Sequence, residues 1–173
     1  FIAHASAEIV ASDSFPNLNG YTFTFGSKNS TSGRLMPQFF IERNLGKNSK
    51  NVFKRIGYSG DHSRTIAQVQ AGVYQVGAVN YKVWESAVAN GKVDLNKVNV
   101  IWESPAYPDY QWTIRGDVDT RFGAGFAEKV ESALIGMTDP SLLKSFPRQS
   151  FVPADNQDYE PIEDVAKAIG LID

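Results

Sequence analysis

The stretch that decides the fold reads Tyr21-Thr-Phe-Thr-Phe-Gly-Ser-Lys-Asn-Ser30-Thr31-Ser32-Gly33-Arg-Leu-Met-Pro37-Gln-Phe-Phe40. Its aromatic and β-branched start predicts a strand, the polar segment between two glycines predicts a turn, and the apolar-periodic end predicts a helix. The hydroxyl residues Ser30, Thr31 and Ser32 therefore lie where a helix begins, beside unpaired N–H groups and the positive end of the helix dipole. That combination favours binding of a small oxyanion. An ordinary serine N-cap in a turn is the alternative interpretation.

Pro37 constrains how this helix can start. Proline has no N–H and is tolerated only near a helix N-terminus. Either the first regular turn begins near Gly33, or the helix kinks at Pro37.

The chain after this stretch alternates strands with helices. Strands are predicted over residues 52–58, 73–79 and 98–103, with a helix that Ser63 caps and another that begins near Tyr81. This spacing predicts βαβ units and an α/β fold with a mainly parallel sheet. Ligands of such sheets bind beyond the carboxyl ends of the strands. The polar groups expected to meet at that edge are Ser30–Ser32, Asp61–His62, Asn80–Tyr81 and Ser104–Asp109.

Composition excludes several classes of function. The chain has 173 residues, 42% hydrophobic and 21% charged, a net charge of −2 and no cysteine. Thiolate chemistry is therefore excluded, and no basic cluster indicates a nucleic acid or an acidic membrane as partner. The only histidines are His4 and His62, and no H-E-x-x-H spacing occurs, so we expect neither a metal nor a cofactor.

Three further side chains are candidates for the ligand site. His62 can donate one N–H when neutral and two when protonated, although an incidental surface or cap residue is the alternative. Asp109 can accept from a protonated ligand oxygen or an ammonium, or it is a turn residue. The neutral side chain of Asn80 can also accept from either of these groups, but only weakly. A Ser–His catalyst would need an orienting carboxylate and an oxyanion hole, and no G-x-S-x-G motif is present. We therefore expect a binding protein and not an enzyme.

These residues carry a family resemblance. The segment from Leu18 to Pro37 resembles the L-x-G-x-x-x-x-F-G-x-x-x-S-T-S-G…P pattern of the phosphonate-binding proteins of phosphonate/phosphite ABC importers. The similarity covers nearly the whole chain and continues through Phe53-Lys-Arg, Ser59-Gly-Asp-His62, Gly77-Ala-Val-Asn-Tyr81, Pro108-Asp109-Tyr and Phe151-Val-Pro-Ala…Tyr159-Glu-Pro-Ile.

The resemblance implies roles for the candidate residues. Ser30, Thr31 and Ser32 would hold the oxygens of a phosphonate, phosphite or phosphate ester through hydroxyl and backbone donors, and His62 would be a second oxyanion donor. Asn80 would lie where aminophosphonate-binding members place a carboxylate for the ligand ammonium, which argues against aminoethylphosphonate. Asp109 would accept from an amine or from the O–H of a monoprotonated oxyanion.

The resemblance also implies an architecture, a partner and a location. The fold would be a three-layer lobe of the type 2 periplasmic-binding-protein kind, in a clamshell that delivers its ligand to a membrane permease. Residues 1–11 would be the first interlobe crossover and residues 12–100 the complete lobe. Residues 101–173 would supply the second crossover with the returning strand and helices of the other lobe. The location would be the periplasm, or the outside of the cell with a lipid anchor.

The same resemblance indicates that the chain is part of a longer protein. Family members carry a further N-terminal lobe-forming segment with additional ligand contacts. We therefore expect weak or absent binding by this chain alone, since half of the cleft walls would be missing.

Two other functions are compatible with these residues. The fold could be the extracellular sensing domain of a signalling protein, which the flanking sequence would reveal. A hydrolase that uses a serine and His62 would be revealed by turnover of an ester or a phosphonate.

Overall fold

The computed structural model describes residues 1–108, 110–143, 146 and 148–172. The chain forms two compact units, Phe1–Ala106 with Ile162–Asp173, and Tyr107–Pro161. Among the described residues, no helix has the length and the apolar character that crossing a membrane requires.

A five-stranded sheet organises the first unit. Its strands are β1 (Ile2–His4), β2 (Thr22–Phe25), β3 (Arg55–Tyr58), β4 (Val76–Gly77) and β5 (Val98–Val100), in the spatial order β3-β2-β4-β1-β5. β2 pairs in parallel with β3 and β4, whereas β1 is antiparallel to both β4 and β5. Four strands therefore run in one direction and only β1 runs in the other. This confirms the predicted mainly parallel sheet.

Helices follow the strands as the sequence predicts, with differences at their ends. The first unit contains α1 (Met36–Leu45), α2 (Ser49–Val52), α3 (His62–Gln70) and α4 (Tyr81–Ala89), with a 3₁₀ turn at Ala5–Ala7 and a π-helical turn at Thr31–Leu35. α2 was not predicted, because its four residues are too few to show a periodic pattern.

The regular elements of the second unit, among its described residues, are all helices or helical turns. It contains α5 (Val118–Phe122), α6 (Phe126–Ile135), α7 (Pro140–Leu143) and a 3₁₀ turn at Gln157–Tyr159; α8 (Glu160–Ala168) follows in sequence. The short helix α5 was also not predicted.

Helices cover both faces of the sheet around β2. Phe23, Thr24 and Phe25 of this strand are buried, so its side chains from Phe23 onward are covered on both sides of the sheet. Phe23 and Phe25 belong to one hydrophobic cluster with Ile41 of α1. A second cluster joins the strands β1 and β5 to the α3 residues Ile66 and Val69. The helix–sheet–helix arrangement confirms the predicted three-layer architecture.

The predicted returning strand is not observed among the described residues beyond Val100. The described residues between 110 and 115 pair with no strand, and their alternating apolar side chains Tyr110, Trp112 and Ile114 are exposed. Trp112 packs edge-on against Phe146 and Phe151, with ring centroids 5.4 and 5.8 Å away. An extended segment becomes a strand only where a neighbouring strand accepts its N–H groups.

Candidate functional site

The hydroxyl residues Ser30, Thr31 and Ser32, named here the hydroxyl turn, form the start of the helix after β2. Ser30 is the N-cap in an extended conformation, and its Oγ accepts the N–H of Gly33 at 3.0 Å. The Ser30 carbonyl accepts from the N–H groups of both Arg34 and Leu35, at 2.9 and 3.0 Å. The second of these bonds spans five residues, which widens the turn into a π-helical one.

Pro37 explains why this wide turn precedes the regular helix. α1 begins at Met36 with Pro37 in its first turn, so neither a regular turn at Gly33 nor a kink at Pro37 is observed. A residue with an N–H at position 37 would bond the carbonyl of Gly33, four residues earlier. Pro37 leaves that carbonyl free, and it accepts the N–H of Gly26 at 2.8 Å. This bond closes the loop between β2 and the hydroxyl turn.

Two backbone donors of the hydroxyl turn are available for a ligand. In the part of the chain that the structure describes, the N–H groups of Thr31 and Ser32 have no acceptor. They lie at the positive end of α1, where an oxygen anion is stabilised by direct hydrogen bonds and by the helix dipole.

The N-terminus of α3 brings His62 to the same place. Asp61 is the N-cap, and its Oδ1 accepts the N–H of Arg64 at 2.8 Å. The predicted Ser63 cap is therefore wrong. Aspartate caps helices at least as well as serine, and the Asp61 cap makes His62 the first residue of α3.

Asn80 caps α4 and has its oxygen already engaged. Asn80 Oδ1 accepts the N–H groups of Lys82 and Val83, at 2.9 and 3.4 Å, which also fixes the orientation of the amide. The side chain is only 7% exposed. Only the Nδ2 amide group of this side chain is therefore left to bind a ligand, and an amide N–H₂ can only donate hydrogen bonds.

His62 connects the hydroxyl turn to the N-terminus of α4. Its Nδ1 accepts the backbone N–H of Asn80 at 3.2 Å, and its Nε2 lies 3.2 Å from Ser32 Oγ. Since a main-chain N–H can only donate, Nδ1 carries the lone pair and Nε2 carries the proton. Burial lowers the pKa of His62 from its usual value, and the nearby Asp61 carboxylate opposes this effect. The imidazole therefore favours its neutral form.

This tautomer is the reverse of the one a hydrolase requires. A general base must present the lone pair of the nitrogen that faces the serine, and its other nitrogen donates to an orienting carboxylate. Here the nitrogen that faces Ser32 bears the proton, and a backbone N–H occupies the position of the carboxylate. The pair is arranged to donate to an anion and not to activate a nucleophile.

The structure brings together most of the predicted site residues. Ser30, Thr31, Ser32, His62 and Asn80 lie at one edge of the sheet, at three helix N-termini linked by the hydrogen bonds of His62. Asp109 lies outside the described residues. Among the described residues, no three His, Cys, Asp or Glu side chains are close enough to hold a metal ion.

Gly33 also belongs to the candidate site, although it was not among the predicted site residues. A Cβ at this position would stand 3.2 Å from Gly26 Cα and 3.2 Å from His62 Cε1. A side chain at this position would therefore push these groups apart by a few tenths of an ångström, whereas glycine allows their close approach. The sequence does contain a signal for this role, because Gly26 and Gly33 lie at the two ends of the polar turn.

Comparison with known proteins defines the class to which this site belongs. Residues 1–159 match the family model described as ABC transporter, phosphonate, periplasmic substrate-binding protein. The chain belongs to this family, which is one of substrate-binding proteins and not of enzymes.

Individual relatives agree with that class. The probable ABC transporter phosphite binding protein PhnD1 of Prochlorococcus marinus (strain MIT 9301) is 35% identical over 161 residues, which are 90% of this chain and 54% of that protein. The structure of PhnD1 from the same organism in complex with methylphosphonate superposes with a TM-score of 0.86 at 33% identity, over 99% of this chain and 66% of that one.

A more distant structure supports the fold alone. It is a binding protein component of an ABC phosphonate transporter from Pseudomonas aeruginosa, with a TM-score of 0.73 at 20% identity, over 98% of this chain and 56% of that one. The chain thus spans about half the length of the curated relative and two thirds or less of these solved structures.

Proposed function

We propose that the protein is the solute-binding component of an ABC importer and captures a phosphonate or a related phosphorus oxyanion, such as phosphite or a phosphate ester. A membrane permease would be its partner. Its place would be the periplasm, or the outside of the cell with a lipid anchor. Membership of the phosphonate-binding family supports this class of ligand.

The observation that carries the proposal is the set of donors at the hydroxyl turn. In the described part of the chain the N–H groups of Thr31 and Ser32 have no acceptor, and together with the hydroxyls of the turn and the Asn80 amide they form a set of donors at two helix N-termini. Such a surface suits a compact oxygen anion, which can accept from several of these donors at once. Because the chain carries a net charge of −2, the attraction must come from these local donors and not from the overall field.

Calorimetric titration of the full-length protein tests this proposal. The ligands are methylphosphonate, aminoethylphosphonate, phosphite, phosphate and sulfate. We expect saturable heat with at least one phosphorus oxyanion and a much weaker response to sulfate. Flat traces with all four phosphorus compounds would refute the proposed function.

Replacement of the hydroxyl turn tests where the ligand binds. The triple variant Ser30→Ala, Thr31→Ala, Ser32→Ala removes hydroxyl donors that are each worth roughly 1.5–3 kcal/mol when they bond a charged group. We expect affinity for the best phosphorus ligand to fall at least about a hundredfold, since each 1.4 kcal/mol is tenfold. The single variants Thr31→Ala and Ser32→Ala keep the Ser30 cap, so the turn should stay folded. A loss of affinity in these variants therefore reports lost ligand contacts and not a disordered turn.

Two hydroxyls elsewhere serve as matched controls for this experiment. Ser86 of α4 and Ser132 of α6 are exposed, and their replacement by alanine should leave affinity unchanged. A folded triple variant that binds as tightly as these controls would place the site elsewhere.

A further inference from the structure

Two cations lie against one aromatic ring beside the hydroxyl turn. Lys28 Nζ is 5.4 Å and Arg34 Cζ is 5.8 Å from the centroid of the Tyr58 ring. We propose that Lys28 and Arg34, named here the cation pair, provide a local positive field that attracts an anionic ligand to the hydroxyl turn. The inference rests on the proposed function for the class of ligand, and it adds two residues whose charges act on the ligand from a distance.

Tyr58 holds the cation pair at the edge of the sheet where the hydroxyl turn lies. It is the last residue of β3 and pairs with Phe25, the last residue of β2. The two rings stack with their centroids 5.6 Å apart. Arg34 Cζ is also 5.0 Å from the centroid of the Phe25 ring, and Arg34 Nε donates to Tyr58 Oη at 3.1 Å. These contacts keep the charges at the carboxyl ends of the two strands.

Both cations are also close to the hydroxyl turn along the chain. Lys28 is two residues before Ser30, and Arg34 is two residues after Ser32. Since consecutive Cα atoms are about 3.8 Å apart, the Cα atom of each cation lies within about 8 Å of the turn. The Debye length in ordinary buffers is about 8–10 Å. Salt therefore screens the attraction between these charges and an anion at the turn only in part.

Neither member of the cation pair is neutralised by a carboxylate. Among the described residues, no Asp or Glu forms a salt bridge with Lys28 or Arg34, and the buried Nη1 of Arg34 has no hydrogen-bond partner. The carboxylate of α1, Glu42, accepts from Gln38 Nε2 and from the Ser49 N–H instead. The positive charges of the pair are thus left uncompensated.

The charged side chains at the neighbouring helix N-termini form pairs of opposite sign. Asp61, the cap of α3, lies 3.4 Å from Arg64, and Lys82 of α4 lies 2.8 Å from Glu85. The cation pair therefore leaves a net positive charge at this edge, although the chain as a whole carries −2. A local field of this sign raises the concentration of an anion at the turn.

The cation pair is an unfavourable arrangement in the absence of an anion. The face of an aromatic ring attracts a cation within about 6 Å, but two positive charges at the same ring also repel each other. Because no carboxylate of the described residues offsets this repulsion, an anion at the hydroxyl turn would do so. The arrangement thus favours the ligand-bound protein over the free one.

The two charges should differ in how strongly salt screens them. Lys28 is exposed, whereas Arg34 is half-buried between the Phe25 and Tyr58 rings. Charges that are partly withdrawn from water are screened less. We therefore expect the contribution of Lys28 to disappear first as the salt concentration rises.

Calorimetric titration of the full-length protein with methylphosphonate at two salt concentrations tests the proposal. The Debye length is about 30 Å at 10 mM salt and roughly 4 Å at 0.5 M. At the low concentration, Lys28→Gln and Arg34→Gln should each raise the Kd about two- to fivefold, the effect of one unit charge about 8–10 Å from a mono- or dianion in water. At the high concentration, Lys28→Gln should bind like the unmutated protein.

Two variants serve as matched controls. Arg34→Lys keeps the positive charge but not the planar guanidinium, and we expect it to retain most of the affinity that Arg34→Gln loses. Lys92→Gln makes the same change of charge at an exposed lysine beyond the C-terminal end of α4. That helix has nine residues and is about 14 Å long, and its N-terminus lies at the site. Lys92→Gln should therefore leave the Kd unchanged at both salt concentrations.

Three results would overturn the proposal. The first is a Kd of Lys28→Gln equal to that of Lys92→Gln at low salt. The second is a loss of affinity in Lys28→Gln that is the same at both salt concentrations, since a direct contact would not be screened in this way. The third is an equal loss in Arg34→Lys and Arg34→Gln, which would assign a packing role to the guanidinium. If Arg34→Gln does not fold, the exposed Lys28 decides the question alone. Flat titrations of the unmutated protein would instead refute the proposed function, and this inference with it.

Discussion

Because Gly33 has no side chain, the loop at Gly26 and the His62 ring can pack closely against the hydroxyl turn. A Cβ at this position would lie 3.0 Å from Ser30 Oγ and 3.2 Å from both Gly26 Cα and His62 Cε1. Because one of these neighbours is backbone, Gly33→Ala must displace the loop or the imidazole ring. We expect a loss of about 1–3 kcal/mol in the free energy of unfolding, the usual range for overpacking, together with weaker binding of methylphosphonate. Urea denaturation and calorimetry measure the two effects.

Gly116 provides the matched control for this substitution. A Cβ on Gly116 would meet nothing within 4 Å. Gly116→Ala should therefore leave affinity unchanged and raise the free energy of unfolding by about 0.4–1 kcal/mol, because alanine reduces the entropy of the unfolded chain. A Gly33→Ala protein that is as stable as Gly116→Ala and binds methylphosphonate as tightly would show that the site can relax around the methyl group.

His62 makes stability depend on pH in a predictable direction. Burial lowers its pKa in the folded protein from the usual 6.5, while the Asp61 carboxylate, itself paired with Arg64 at 3.4 Å, opposes the shift. Below pH 6.5 the unfolded chain then binds more protons at this residue than the folded chain does. The contribution of His62 to the free energy of unfolding is therefore complete above pH 6.5 and falls as the pH decreases towards the folded-state pKa.

Denaturation curves from pH 5 to pH 8 measure this contribution. At each pH, the free energy of unfolding of His62→Gln is subtracted from that of the unmutated protein. This cancels the contributions of His4 and of the carboxylates, which both proteins share. We expect this difference in the free energy of unfolding to decrease as the pH falls below 6.5. A difference that grows on acidification would mean that the folded protein stabilises the imidazolium.

At the scale of elements, the cap of α3 determines where His62 lies. Asp61 Oδ1 accepts the N–H of Arg64 at 2.8 Å, and His62 is the next residue along the chain. Asp61→Ala should cost about 0.5–2 kcal/mol of stability, as for other lost caps, and should weaken ligand binding because the first turn of α3 frays. Asp61→Asn keeps a capping oxygen and serves as the control in both urea denaturation and calorimetry. Equal stability of the two variants would show that the cap contributes little.

Local sequence patterns were sufficient to predict the elements that carry the site. The strand and turn that precede Ser30 were predicted because aromatic alternation and paired glycines are properties of neighbouring residues. The convergence of Ser32, His62 and Asn80 followed from the parallel order of the strands. The sequence also predicted helices that begin after each of these strand ends.

Features that depend on distant parts of the chain could not be predicted in the same way. The reversed direction of β1 is set by its pairing with β4 and β5, which lie more than 70 residues away. The π-helical turn depends on the Gly33 carbonyl, which Pro37 frees and Gly26 binds. The tautomer of His62 depends on the backbone N–H of Asn80, 18 residues further on. None of these contacts leaves a periodic signal in the sequence.

At the scale of the whole molecule, buried apolar residues are distributed unequally between the two compact units. Of the described residues of the second unit, Val118 and Leu143 are the only buried hydrophobic ones. The first unit contains the two hydrophobic clusters described above and the strand β2, in which Phe23, Thr24 and Phe25 are buried. Since local stability follows the burial of apolar contacts, the two units should differ in how readily they open.

Hydrogen exchange measured by mass spectrometry on this chain tests that difference without any ligand. We expect the slowest exchange at the amides of β2 and at those of β4 that bond it, because these strands lie inside the sheet. Peptides from α5 and α6 should exchange much faster, since α6 has no buried residue and α5 has only Val118. α4 is the control within the first unit: none of its residues is fully buried, yet Val83, Trp84 and Ala87 pack on a core cluster. Its protection should therefore exceed that of α6, and equal rates for the two helices would contradict the assignment of stability to the clusters.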